Sequence, residues 1–230
     1  MIYLDYFIFP DEDMEFDFFL GIKRTCYDSF YPFKVLSTHG LERIDFEAIT
    51  ILYGGNGSGK STALNVIAEK TGVMRDSIYN KSNFFPDYVN MCKMHLETDI
   101  PENSRIITSD DVFDYMLNIR TLNEGIDQKR EQLFEEYLDA KYTHFRVNSI
   151  ADYEQLKKIN TARRKTQSRF VRGYLMDNVR EYSNGESAYK YFTEKIDENA
   201  LYILDEPENS LSPKRQIELA GFIEDSVRFF

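Results

Sequence analysis

The octet GGNGSGKS at residues 54–61 constrains this chain more than any other segment. Gly54, Gly55, Gly57 and Gly59 let a backbone turn tightly and reach positive φ. The apolar run AITILY at 48–53 precedes the octet. It is continuous rather than alternating, which predicts a parallel strand buried on both faces. After the octet, Leu64, Ile67 and Ala68 recur at helical spacing, and Gly72 stands where a C-terminal cap belongs. Strand, glycine loop and helix N-terminus in that order form an anion cradle. The amides of residues 54–59, Asn56 and Ser58 included, turn inward, and the helix dipole favours negative charge.

The octet also fits G-x-x-x-x-G-K-[ST], the Walker A pattern, which predicts ATP bound with Mg²⁺. In this pattern Lys60 reaches the β- and γ-phosphates and the Ser61 hydroxyl ligates the metal. Thr62 follows within reach of the α-phosphate. Average residue frequencies give such a match in roughly one in a hundred chains of this length, and the strand–loop–helix context makes an accident rarer.

A second apolar run, ALYIL at 200–204, leads straight into Asp205 and Glu206. In an open α/β sheet, ligands gather at the carboxyl ends of strands. Asp205 is therefore placed to hold Mg²⁺ as a Walker B acid, and Glu206 to orient or deprotonate an attacking water. Ser212 and Pro213 read as the cap and first turn of a final helix. Ile217, Ala220, Ile223 and Val227 give that helix one apolar face.

At 230 residues with 42% hydrophobic content, the chain suits one α/β domain carrying an insertion. Residues 1–75 read as a β subdomain leading into the phosphate loop, with FDFFLGIK, FKVLS and LERIDF as short strands. Residues 76–182 read as a mainly helical insertion. Its clearest helices are LNEGIDQKREQLFEEYLDAKY and IADYEQLKKINTARRKTQSRFVRGYLMDNV, and RIITS at 105–109 is a core-strand candidate. After RIITS, Asp110 and Asp111 either reach a metal through water or cap the helix that follows. Residues 183–230 return to the core. No run approaches the roughly 18 apolar residues of a membrane span. The MIYLDYFIF start lacks a basic leader, and Cys26 and Cys92 form no paired motif, so a cytoplasmic protein is expected. Net charge is −11, which argues against a general nucleic-acid coat. Residues 157–172 nevertheless hold seven basic side chains and no acid. They are a candidate contact for nucleic-acid phosphates, or else a solvated helix face or a pairing surface for a partner's acids.

YSNGES at 182–187, ahead of the acidic pair, resembles the signature segment of ABC ATPases, usually LSGGQ. Ser183 matches its serine, Gly185 its second glycine and Glu186 its glutamine. Asn184 and Tyr182 depart from it, and Asn is the non-glycine residue best suited to a left-handed backbone. Phosphate loop, helical insertion, signature and DEP in that order are similar to this family over residues 30–230. The resemblance implies an α/β P-loop NTPase core of the ABC type, with an antiparallel N-terminal β subdomain and a helical insertion. It implies a homodimer in which Ser183, Gly185 and Glu186 act in trans on ATP held by the other subunit. It also implies an adenine-stacking aromatic upstream of the loop, with Tyr31 and Phe33 as candidates. Within the family the chain resembles stand-alone SMC-like and RecF-like ATPases that drive or gate a DNA- or protein-directed activity through a protein effector, in DNA maintenance or phage defence. The alternatives are a membrane transporter's nucleotide-binding subunit and a regulatory module that barely hydrolyses. Family members carry a switch histidine after the strand that follows Walker B, and no histidine follows Glu206 here. The expectation is that the chain stops early at Phe230, or that a separate chain supplies that strand, and that its own turnover is slow.

Overall fold

The computed structural model describes residues 2–23, 26–144, 152–209 and 211–229. Ile150 and Ala151, the first two residues of the second expected insertion helix, and Phe230 lie outside these. The chain divides into two compact units, residues 1–113 with 184–230, and residues 114–183.

The first unit holds two small sheets. β1 (Leu4–Ile8) is central to an antiparallel sheet, flanked by β2 (Arg43–Asp45) and β3 (Lys93–Leu96) in the order β2-β1-β3. Phe7 faces Ile44 and Met94 across its two neighbours, and Phe7 is fully buried. The second sheet is parallel. β4 (Arg105–Thr108) pairs with β5 (Tyr202–Asp205), so that Thr108 and Asp205 lie side by side at the carboxyl edge. Met74 extends this sheet by a parallel bridge to Arg105. The helix after the phosphate loop, α2 (Lys60–Thr71), closes on Gly72 at φ 70°. Its Val66, Ile67 and Ala68 enter the main core together with Phe7, Leu36, Phe85 of α3 (Phe85–Met91) and Ile203.

Three expected strands take other forms. FDFFLGIK falls mostly in α1 (Glu12–Gly21). Asp11 caps this helix by accepting the Met14 N–H at 2.8 Å, and Glu12, Asp13 and Glu15 fill the first turn, where the helix dipole favours acids. FKVLS is a turn followed by a short 3₁₀ helix at Ser37–His39. Lys34 there has φ 63°, outside the extended region, and its N–H is held by the buried Glu15 carboxylate at 2.8 Å. AITILY is not a buried ladder strand. Leu52 packs against the core, but Ile51 and Tyr53 are 82% and 99% exposed, and among the described residues no strand pairs with the run. A continuous apolar run becomes a doubly covered strand only where neighbours lie on both of its faces and edges. Here one side alone is covered.

The first turn of α4 (Ser109–Tyr142) carries a reciprocal cap. Asp111 Oδ2 accepts the Thr108 N–H at 2.6 Å, and Thr108 Oγ1 accepts the Asp111 N–H at 3.3 Å. Asp111 is thus a capping residue. α7 (Asn184–Lys195) and α8 (Pro213–Phe229) complete the first unit. Pro213 opens α8 as expected, and of the expected apolar stripe Ile223 and Val227 are half-buried while Ala220 is exposed. Leu219 and Ser226 are buried, whereas Ile217 is 74% exposed. The face that meets the protein is set by the neighbouring α7 and by Leu219, one position round the helix from Ala220.

In the second unit, the long expected helix after residue 150 is two helices, α5 (Tyr153–Arg164) and α6 (Gln167–Arg172), separated by an extended Lys165. Leu133, Tyr137 and Ala140 of α4 pack on Ile159 and Ala162 of α5 and on Phe170 and Val171 of α6.

Candidate nucleotide site

The loop at 54–59 has the backbone its glycines foretell at two positions, Gly57 (φ 80°) and Gly59 (φ 87°). Gly59 is the residue before α2, in the left-handed region and pressed against Leu36. A Cβ there would lie 2.8 Å from Leu36 Cδ2. Gly54 meets Ser58 as closely, at 2.7 Å from Oγ. Gly55 and Asn56 form the exposed outer curve of the loop. Lys60 curls back over it, and its Nζ donates to the Gly54 and Gly55 carbonyls at 2.7 and 2.9 Å. The Ser58 hydroxyl is buried within the loop without a hydrogen-bond partner. A cation and an unsatisfied hydroxyl are thus held at the loop, the one on its carbonyls and the other buried within it.

Two distant parts of the sequence meet at the start of α2. The Ser61 hydroxyl donates to Asp205 Oδ1 at 3.0 Å. Burial raises the Asp205 pKa. The Ser61 hydrogen bond pulls it down, Glu206 pushes it up and Arg75 pulls it down. Serine hydroxyl and aspartate are hard oxygen donors suited to Mg²⁺, and this metal is commonly held by one or two carboxylates with substrate phosphates and water. No group of three or more His, Cys, Asp and Glu side chains is gathered for a metal among the described residues. The donor set therefore fits a metal completed by phosphate oxygens, not one caged by protein.

Glu206 follows at φ 51°, an uncommon region for a side chain of this size. Its carboxylate is exposed and accepts Asn209 Nδ2 at 2.6 Å. Thr62 is buried, and its Oγ1 accepts the Tyr31 hydroxyl at 3.0 Å. The Tyr31 ring also stacks on Phe85 at 6.0 Å. Phe33 is core, stacked on Phe18 at 4.5 Å. Ser183 directly precedes α7, and Gly185 and Glu186 lie in its first turn. Glu186 faces Arg215 of α8 at 4.0 Å.

Two groups near the site carry no motif. Arg75 donates to Asn65 Oδ1 of α2 at 2.5 Å and lies 4.1 Å from the Tyr79 ring. Burial lowers its pKa, while Tyr79, Asp111, Glu69 and Asp205 raise it. It is a half-buried cation within electrostatic reach of Asp205. Its position just past Met74, which joins the parallel sheet, is the only trace it leaves in the sequence. The other is the Tyr31 hydroxyl: the ring is a stacking candidate from the sequence, but its bond to Thr62 across 31 positions has no sequence signal.

No helix among the described residues is long and apolar enough to cross a membrane. No curated protein and no solved structure matches the chain. The family model described as ABC transporter matches residues 43–209, more than half of the chain, and takes in the phosphate loop, the 183–187 segment and the acidic pair. The chain therefore belongs to this family as an ATP-binding, ABC-type ATPase domain, and its relatives generally hydrolyse ATP, typically with Mg²⁺.

Proposed function

We propose that this chain hydrolyses ATP as a head-to-tail homodimer, and that the opening and closing of the dimer drives or gates a DNA- or protein-directed effector, as in SMC-like and RecF-like ATPases. The observation that carries the reading is the 3.0 Å hydrogen bond between Ser61 and Asp205. It joins the phosphate loop to the carboxyl end of β5, where metal and phosphate chemistry must meet. In this reading Gly54 to Gly59 cradle the phosphates with backbone N–H groups. Lys60 leaves the Gly54 and Gly55 carbonyls for the β- and γ-phosphates. Mg²⁺ held by Ser61 and Asp205 would neutralise charge on the phosphate oxygens. Glu206 takes a proton from the attacking water. Ser183, Gly185 and Glu186 cap the γ-phosphate held by the other subunit.

The test separates these roles. Glu206→Gln keeps ATP binding, lowers hydrolysis by about 10²–10⁴ and accumulates dimer in light scattering with ATP and Mg²⁺. Ser183→Arg blocks that dimer and leaves ATP binding intact. A Glu206→Gln chain that stays monomeric with ATP, or a Ser183→Arg monomer that no longer binds ATP, would refute the trans arrangement.

A further inference from the structure

The packing of the second unit decides where its basic side chains point. Ile159 and Ala162 turn inward from α5. At about 100° per residue, Lys157, Asn160 and Arg164 then lie on the opposite side of that helix, and all three are exposed. Phe170 and Val171 do the same for α6, and leave Arg169 and Arg172 exposed. Lys165 is exposed in the connection.

Two of the seven cations are used internally. Lys158 pairs with Glu136 at 2.5 Å, and Arg163 donates to the Thr143 carbonyl at 2.9 Å. The other five, Lys157, Arg164, Lys165, Arg169 and Arg172, form no ion pair among the described residues. This is notable in a chain with 39 acidic against 28 basic side chains, where a neutralising neighbour is easy to place. Like charges on one face repel unless a polyanion covers them.

The chemistry of the face selects among polyanions. Lys157 and Arg164 stand two turns apart, about 10 Å along the helix, too far to share one small anion. Three of the five cations are arginines, whose planar forks match phosphate oxygens in pairs. Tyr174, next to Phe170 at 5.0 Å and 54% exposed, adds a ring on which a base can stack. A membrane-surface helix would set several large apolar side chains beside its cations, whereas Ile159 and Ala162 of α5 are buried in the seam and the large side chain left exposed on that helix is Tyr153, whose ring carries a polar hydroxyl.

We propose that the α5–α6 face binds the sugar-phosphate backbone of nucleic acid without base specificity. This deepens the DNA-directed reading above by naming the surface, and it does not depend on the phosphate loop's chemistry. The experiment is fluorescence anisotropy of the full chain with a labelled oligonucleotide, single-stranded and then duplex, across a salt series. Contacts from the four helical cations, Lys157, Arg164, Arg169 and Arg172, should give a slope of log K on log salt near −3.6 on duplex, at about −0.9 per contact. That corresponds to roughly 10²-fold weaker binding at about 200 mM than at about 50 mM salt. The double variants Lys157→Gln/Arg164→Gln and Arg169→Gln/Arg172→Gln should each flatten the slope by about two contacts. The four side chains are exposed and form no ion pair among the described residues, so the fold should be retained, which circular dichroism checks. ATP-analogue binding is measured in parallel and should not change. Absence of binding at low salt, or an unchanged slope in both variants, overturns the proposal. So does a salt-sensitive self-association that these variants abolish while no oligonucleotide binds, because the face would then pair with protein acids. Lys60→Ala separates the two readings, since it should remove ATP binding and leave the salt slope intact.

Discussion

Three glycines of the phosphate loop differ in one structural respect each, so replacing them with alanine measures what shapes the loop. Gly55 has no positive φ, and a Cβ there meets nothing within 4 Å. Gly55→Ala changes only the unfolded chain and should stabilise by about 0.4–1 kcal/mol. Gly57 has φ 80° but open space around its Cβ. Its alanine costs about 1–2 kcal/mol for the left-handed backbone, less the same unfolded-state gain. The net loss is about 0.5–1 kcal/mol. Gly59 carries both penalties, with φ 87° and a Cβ 2.8 Å from Leu36 Cδ2. Leu36 is fully buried in the main core and cannot swing aside. Overpacking adds about 1–3 kcal/mol, for a net loss near 2–4 kcal/mol. Urea denaturation followed by circular dichroism gives the three values, with unchanged m confirming that only stability moved. The reasoning fails if Gly59→Ala is no worse than Gly57→Ala, because Leu36 would then not brace the loop. It fails differently if Gly55→Ala is the most damaging of the three. ATP-analogue affinity in the same variants should follow the order Gly55, Gly57, Gly59 only where the altered backbone, not the added methyl, obstructs phosphate.

The acid beside Ser61 gives a pH test. Its folded pKa is raised, chiefly by burial, so its stabilising contribution is complete below the unfolded value of about 3.9 and is lost as the pH climbs through the folded value. Asp205→Asn keeps an oxygen acceptor for Ser61 and removes the buried charge. Without metal, the variant should therefore melt above the wild type at pH 7–8, and the gap should close on acidification towards pH 4. Added Mg²⁺ and ATP analogue should raise the wild-type Tm and not that of the variant. A variant less stable at every pH would remove burial as the cause. In the other unit, Phe170 is fully buried against Tyr137 and Tyr174. Phe170→Ala should cost about 3–5 kcal/mol, admit protease between residues 114 and 183, and leave ATP-analogue binding in place. Loss of that binding would mean that the units do not fold independently.

Much of the site was legible because its signals are local. The phosphate loop, α2 with its Gly72 cap, β4, β5 and the Pro213 start each rest on a few adjacent residues whose chemistry admits one use. The failures share a cause too. AITILY reads as a buried strand because composition reports hydrophobicity, while burial on both faces depends on what lies beside the run. FDFFLGIK is aromatic and β-like, yet Asp11 caps it and Glu15 is drawn into the protein, so tertiary demand overrides propensity. KMHL, the third strand of the antiparallel sheet, is four residues long and half polar, too short for its alternation to stand out. Arg75 is invisible as a site residue because its partners are scattered over Asn65, Tyr79, Asp111 and Asp205. Charge run 157–172 was plain in the sequence, but which of its cations are free depended on Glu136 and Thr143, from another helix and a following turn.

These unmarked contacts bear on how the loop keeps its shape before any phosphate arrives. Gly59 alone would leave the turn before α2 loosely defined, since glycine allows many conformations as readily as the needed one. Leu36 limits the choice by lying against it, and Leu36 is itself fixed by the turn at 33–37. Lys34 holds that turn at φ 63° through its N–H on Glu15, a buried carboxylate supplied by α1. The Tyr31 hydroxyl reaches Thr62 on α2, while Ser82 fixes the Tyr31 carbonyl at 2.5 Å. The phosphate loop is thus gripped from both ends of the 31–36 segment. Backbone in uncommon regions of φ/ψ persists only where surrounding structure over-determines it. Among the described residues, Glu206 at φ 51° is held by the turn to Asn209. Rigid support under the phosphates and a lightly tethered acid opposite are what the chemistry asks for. In the proposed reaction the anion would find its donors already in place, whereas Glu206, as the proposed base, would release Asn209 before taking a proton from water.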